Sequence, residues 1–142
     1  MDLPPAVRAL LDQPCPATVI TAGESGTPQA TVVWIEQRGD AVAFFSDLGS
    51  VKVRNLRQRP EATVVVIDPQ QEFEPGARCY VTISGRATIA ALTDTSFPDR
   101  LARRYMNAEV FPHRGDYCEV VVTADRLGGS GPGTGTTAGW SR

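Results

Sequence analysis

The run Val64-Val65-Val66-Ile67 narrows most sharply what this chain can become. Four consecutive β-branched side chains lose χ1 freedom in a helix and suit a pleated strand. Successive strand side chains point to opposite faces, so an unbroken apolar run is a strand covered on both sides, as in a barrel wall or at a subunit interface. Residues 62–68 are expected to form such a strand. The segment 78–89 that follows has a different pattern. Cys79, Val81 and Ile83 alternate with Tyr80, Thr82 and Ser84, and Gly85 reads as a bulge or bend of the kind that helps a sheet close.

Residues 17–23, 29–36, 41–46 and 117–124 supply four more strands, the first three separated by turn chemistry at Glu24-Ser25-Gly26-Thr27 and Arg38-Gly39-Asp40. A first helix with Asp2 as cap and Pro4 and Pro5 near its start carries Val7, Leu10 and Leu11 at helical spacing. Ser50 precedes a helix over 51–58 that Pro60 ends, and Thr93 or Asp94 opens another that reaches Met106, with Leu101 and Tyr105 on one side. Residues 69–76 read as a polar loop. The whole is a mainly β chain: a six-stranded antiparallel barrel with short helices. So small a barrel has little interior to spare, and a flavin-sized ligand is expected outside it, in a groove completed by a second subunit.

The chain of 142 residues is expected to be one domain over 1–127, followed by a Gly-rich tail over 128–142 in which Trp140 is either a docking anchor or exposed. A net charge of −2, with dense basic runs only at 52–59 and 100–104, argues against nucleic acid as a partner. Cys15, Cys79 and Cys118 are widely spaced, odd in number and without a CxxC pair, so neither a metal site nor a disulfide framework is expected. No segment approaches the length of an apolar membrane span, and a cytoplasmic setting is expected.

The segment from Ser46 to Asn55 carries the chemistry. A strand ends at Ser46, Gly49 sits in the loop, and a helix opens after Ser50 with Lys52 in its first turn. The first amides of a helix are unpaired and carry the positive end of its dipole, so the serine hydroxyls, these amides and the lysine together suit a phosphate. Lysine at this end of a helix is otherwise unfavourable by roughly a few tenths of a kcal/mol. The same residues also read as a plain N-cap followed by a solvated basic face.

Ser46-Asp47-Leu48-Gly49-Ser50-Val51-Lys52 resembles the phosphate-binding turn of the pyridoxamine 5'-phosphate oxidase-like split barrels, the FMN-binding split-barrel fold. The continuation Val53-Arg54-Asn55-Leu56-Arg57, then Arg59-Pro60, is similar to the actinobacterial branch that uses the deazaflavin coenzyme F420. So are Gly26-Thr27-Pro28-Gln29 with Thr31-Val32-Val33-Trp34, and Ser84-Gly85-Arg86-Ala87. The resemblance implies a homodimer with cofactor sites at its interface. It implies phosphate binding by Ser50 and Lys52, with Ser46 on the phosphate or ribityl chain, and a ring lined by Gln29, Thr31, Val32 and Val33. Phe45 joins this set, Arg54 is a second candidate cation, and Arg78 and Tyr80 are candidates to reach the partner's cofactor.

Two departures bear on the choice of cofactor. The oxidases that act on vitamin B6 place arginine before the lysine, where this chain has Val51, and they use a C-terminal R-x-H phrase, whereas His113 here sits in Pro112-His113-Arg114. Vitamin B6 oxidation is thereby disfavoured and F420 favoured, with FMN as the alternative. No serine or histidine stands in an arrangement that marks a nucleophile or an acid/base pair, so the catalytic residues are unassigned. The expected activity is hydride transfer from reduced F420 to an electron-poor small molecule, an enone, imine, quinone or bilin. An FMN oxidoreductase, or a carrier of flavin, deazaflavin or haem without turnover, is the alternative.

Overall fold

The computed structural model describes residues 1–131. Residues 132–142, with Trp140 and most of the expected tail, lie outside the described residues. Three helices, α1 (Pro5–Leu11), α2 (Val51–Gln58) and α3 (Ser96–Met106), accompany seven strands. The strands are β1 (Ala17–Ala22), β2 (Pro28–Val33), β3 (Glu36–Arg38), β4 (Ala41–Asp47), β5 (Glu61–Glu74), β6 (Ala77–Ala91) and β7 (Tyr117–Ser130). They form one antiparallel sheet in the order β2-β1-β5-β6-β7-β4-β3, whose two edge strands do not pair: a split barrel.

The expected count of six strands is corrected to seven, because the segment 29–36 breaks at Trp34 and Ile35. At the break the chain passes from one edge of the sheet to the other, and a side chain replaces the ladder. The Ile35 N–H donates to Tyr105 Oη at 3.2 Å, and that hydroxyl lies 2.8 Å from the Cys15 carbonyl, to which it donates. Trp34 stacks on the same tyrosine ring at 5.4 Å between centroids, and Ile35 is fully buried.

Residues 69–74, expected as loop, continue β5 as one arm of a hairpin closed at Gly76, whose φ of 85° lies in the left-handed region. The ladder shifts register between Ile67 and Glu72, where the buried Asp68 carboxylate accepts the amides of Gln70 and Gln71 and satisfies the backbone that the irregularity leaves unpaired. β7 likewise runs past residue 124 to Ser130, pairing there with Tyr80. The helix over 5–11 has Pro4 rather than Asp2 at its cap, with no side-chain cap bond.

Side chains alternate across the sheet. Val19, Val42, Phe44, Val64, Val66, Val81, Ile83, Val120 and Val122 fill the interior together with Val7, Leu10 and Leu11 of α1 and Val53 and Leu56 of α2. α3 covers the opposite face of β4, where Ala43, Phe97 and Leu101 form a second buried cluster beside Phe45. At Gly85 the β6–β7 register shifts by one residue, and a Cβ there would collide with the Thr123 carbonyl oxygen. The three cysteines are buried free thiols. No helix among the described residues is long and apolar enough to cross a membrane.

Candidate functional site

The end of β4 and the start of α2 are held by two serines. Ser46 is buried and donates its hydroxyl to Ser50 Oγ at 2.9 Å, while Ser50 Oγ accepts the Val53 amide at 3.3 Å as the helix cap. Arg54 N closes the first helical bond on the Ser50 carbonyl, which leaves the amides of Val51 and Lys52 without an intrahelical acceptor. Lys52 is half-buried and forms no ion pair within 4.0 Å among the described residues. Burial pushes its pKa below the usual lysine value, against the opposing pull of Asp47 and of Cys118. A partly desolvated ammonium on the same helix start as two free amides and a serine pair is chemically suited to an anion.

α2 is seated beside β1 by its polar side. Asn55 Nδ2 donates to Thr21 Oγ1 at 3.1 Å, and Thr21 Oγ1 lies 3.4 Å from Gln29 Oε1. Arg59 Nε donates to the carbonyls of Ala22 and Gly23 at 3.2 and 3.0 Å. Thr21 is 2 % exposed, and nothing in the sequence marks it as part of this network. Gln29, Thr31 and Val33 lie opposite Thr21, Val19 and Ala17 and share their face of the sheet, whereas Val32 points outward and is 70 % exposed. Thr31 Oγ1 is occluded and has no hydrogen-bond partner among the described residues. Because β2 is an edge strand, one row of its N–H and C=O groups also has no neighbouring strand among the described residues.

The expected site residues therefore separate. Ser46, Ser50 and Lys52 meet at the turn, and Gln29, Thr31 and Val33 form a row on β2 that the Thr21–Asn55 contact ties to the same helix. Arg54 is exposed on α2. Phe45, the neighbour of Ser46 along β4, faces the other way, 5.0 Å from the Phe111 ring and 5.5 Å from that of Tyr117. Arg78 donates to the Pro69 carbonyl at 2.8 Å, and Tyr80 sits on the outer face of β6, so neither reaches this chain's own turn.

The open seven-stranded sheet with α2 following β4 defines the class: a split barrel of the pyridoxamine 5'-phosphate oxidase type. The chain is a member of the pyridoxamine 5'-phosphate oxidase family, whose N-terminal-type family pattern matches residues 3–129. No curated protein sequence matches it. Among solved structures, an F420 reductase is 24% identical with a TM-score of 0.76, over 88% of this chain and 98% of that one. A putative pyridoxamine 5'-phosphate oxidase from Listeria innocua is 15% identical with a TM-score of 0.65, over 87% and 94%. The heme storage protein HutZ from Vibrio cholerae is 14% identical with a TM-score of 0.66, over 92% and 97%. These likenesses establish the fold.

Proposed function

We propose that this protein is an F420H2-dependent reductase of electron-poor small molecules, acting in the cytoplasm as a homodimer with cofactor at the subunit interface. The observation that carries this is Lys52: half-buried, without an ion pair among the described residues, and placed at a helix start beside Ser46 and Ser50. The donor set suits the phosphodiester of a deazaflavin side chain. When bound, the reduced deazaflavin supplies the hydride, and a solvent proton completes the addition across the acceptor's double bond. The protein's own part is to bind and orient. Lys52 and the α2 amides would neutralise the phosphate, Val32 and the free edge of β2 would set the ring position, and a partner subunit would exclude water.

Titrating the purified protein with F420 and with FMN, followed by absorbance, tests this. Saturable F420 binding is expected. No F420 binding, with yellow FMN retained through purification, would replace the proposal by an FMN enzyme. F420H2 oxidation that depends on an added acceptor separates a reductase from a passive carrier of flavin, deazaflavin or haem.

Val51 favours F420 over FMN because it leaves the phosphate one cation short of the vitamin B6 oxidase pattern. Its side chain is 44% exposed at the first helical position, so an arginine there has room. Val51→Arg is expected to raise FMN affinity by about tenfold, the worth of one charge-assisted hydrogen bond to phosphate. An unchanged FMN dissociation constant would remove Val51 from the argument.

The outer face of β2, β5 and β6 supports the dimer. Val32, Ile67 and Tyr80 are 70%, 57% and 37% exposed there, an apolar patch that a second copy would cover. Ile67→Glu is expected to shift the protein from dimer to monomer in size-exclusion chromatography with light scattering. A wild-type monomer that still bound cofactor would contradict an interface site.

A further inference from the structure

A cleft of about 660 Å³ opens beside the turn and takes no part in the phosphate cradle. Leu48 of the turn is one wall, and the rest comes from residues 91–95, the start of α3 and residues 110–117. Phe111 and Tyr117 line it, backed by Phe45, and their rings meet edge to face at 5.8 Å. The walls are pinned by long-range bonds. Asp99 Oδ1 accepts the Phe111 amide at 2.8 Å, and the Leu48 amide donates to the Asp116 carbonyl at 3.0 Å. The cavity is preformed and of the size that takes a ring-bearing small molecule.

Its charge is lopsided. Asp94, Asp99 and Asp116 line it against the single guanidinium of Arg114, with His113 beside Phe111. Hydrogen bonds from Ser96 to Asp94, and from Phe111 and Thr95 to Asp99, hold both carboxyl groups below their usual pKa, so they are ionised at neutral pH. Arg100 and Arg103 of α3 add a smaller electrostatic pull on Asp94 and Asp99, but neither lines the cleft: Arg100 pairs with Glu36, and Arg103 donates to the Glu109 carbonyl. The Asp116 carboxylate has no hydrogen bond or ion pair among the described residues.

We propose that this cleft is a ligand site that selects flat aromatic or conjugated molecules carrying a positive or hydrogen-donating group and no carboxylate. Aromatic walls stack such a molecule, and the carboxylate rim attracts a cation while repelling an anion. This preference rests on the lining of the cleft and not on the identity of the cofactor.

Calorimetric titration of the full chain, without F420, with 1-naphthylmethylammonium and with 1-naphthylacetate tests the preference, since the pair shares a ring system and differs in charge. The cation is expected to bind about tenfold more tightly. Val110 lines the mouth with 60% of its surface exposed, so Val110→Arg adds a cation there without disturbing the core. It is expected to reverse the preference, and Asp116→Asn to weaken the cation by about threefold. Lys52→Ala should leave both probes unchanged. Equal affinities, a preference for the acetate, or cation binding untouched by Val110→Arg would overturn the assignment of charge preference to this cleft.

Discussion

Lys52→Ala is expected to weaken F420 binding by about 1.5 to 3 kcal/mol, on the order of ten- to a hundredfold in dissociation constant. The size follows from where the ammonium sits. It is half-buried, it has no carboxylate within ion-pair distance among the described residues, and it shares its end of α2 with the free amides of Val51 and Lys52. Removing it leaves a phosphate facing those amides without a full positive charge. The pH dependence has a definite sign. Desolvation holds the pKa of the free protein's lysine below its usual value, and a bound phosphate favours the charged form. Affinity should therefore be level near neutrality and fall as pH rises through the lowered lysine pKa, earlier than an exposed lysine would allow. Lys52→Arg should remove that alkaline fall, because guanidinium stays protonated. Unchanged affinity in Lys52→Ala, measured by fluorescence titration, would show that the lysine is only a solvated face.

The largest expected effect on stability is at Gly85. A methyl group there meets the Thr123 carbonyl oxygen across the β6–β7 ladder, at the point where the register shifts between Ser84 and Gly85. The obstacle is backbone held in a strand, not the end of a flexible side chain, so relief requires parting the two strands. Gly85→Ala is expected to cost about 3 kcal/mol or more and to lower Tm by roughly 10 °C. Gly49→Ala is the control, since a Cβ there meets nothing within 4 Å, and its Tm should stay within about 2 °C of wild type. Equal melting temperatures for Gly85→Ala and wild type, at one protein concentration, would contradict the close approach.

The bulge at Gly85 and the serine-capped start of α2 are both legible in the sequence for local reasons. A glycine inside a period-two strand signals a bulge, and a serine followed by a helix with lysine in its first turn signals an anion. What escapes is whatever depends on distant partners. The strand break at Trp34 and Ile35 is made by the Tyr105 hydroxyl, 70 residues on, and no local pattern announces it. The polar residues 69–74 look like loop because their composition hides a ladder with β6, and the Asp68 carboxylate absorbs the irregularity. Thr21 belongs to the network beside the turn only because Asn55 and Gln29 converge on it from α2 and β2. The cleft is likewise assembled from three separated segments, joined by the Asp99–Phe111 and Leu48–Asp116 bonds. Phe45 is the instructive case within the expected site. Adjacent to Ser46 in sequence, it points to the opposite face of β4 and joins the aromatic wall behind the cleft.

A crystal structure of the protein with F420 bound tests the central claim most directly. The phosphate is predicted within hydrogen-bond distance of Lys52 Nζ, a serine hydroxyl of the Ser46–Ser50 pair and the first amides of α2. A phosphate held instead by Arg54 or Arg57 on the outer side of that helix, with Lys52 left free, would contradict it.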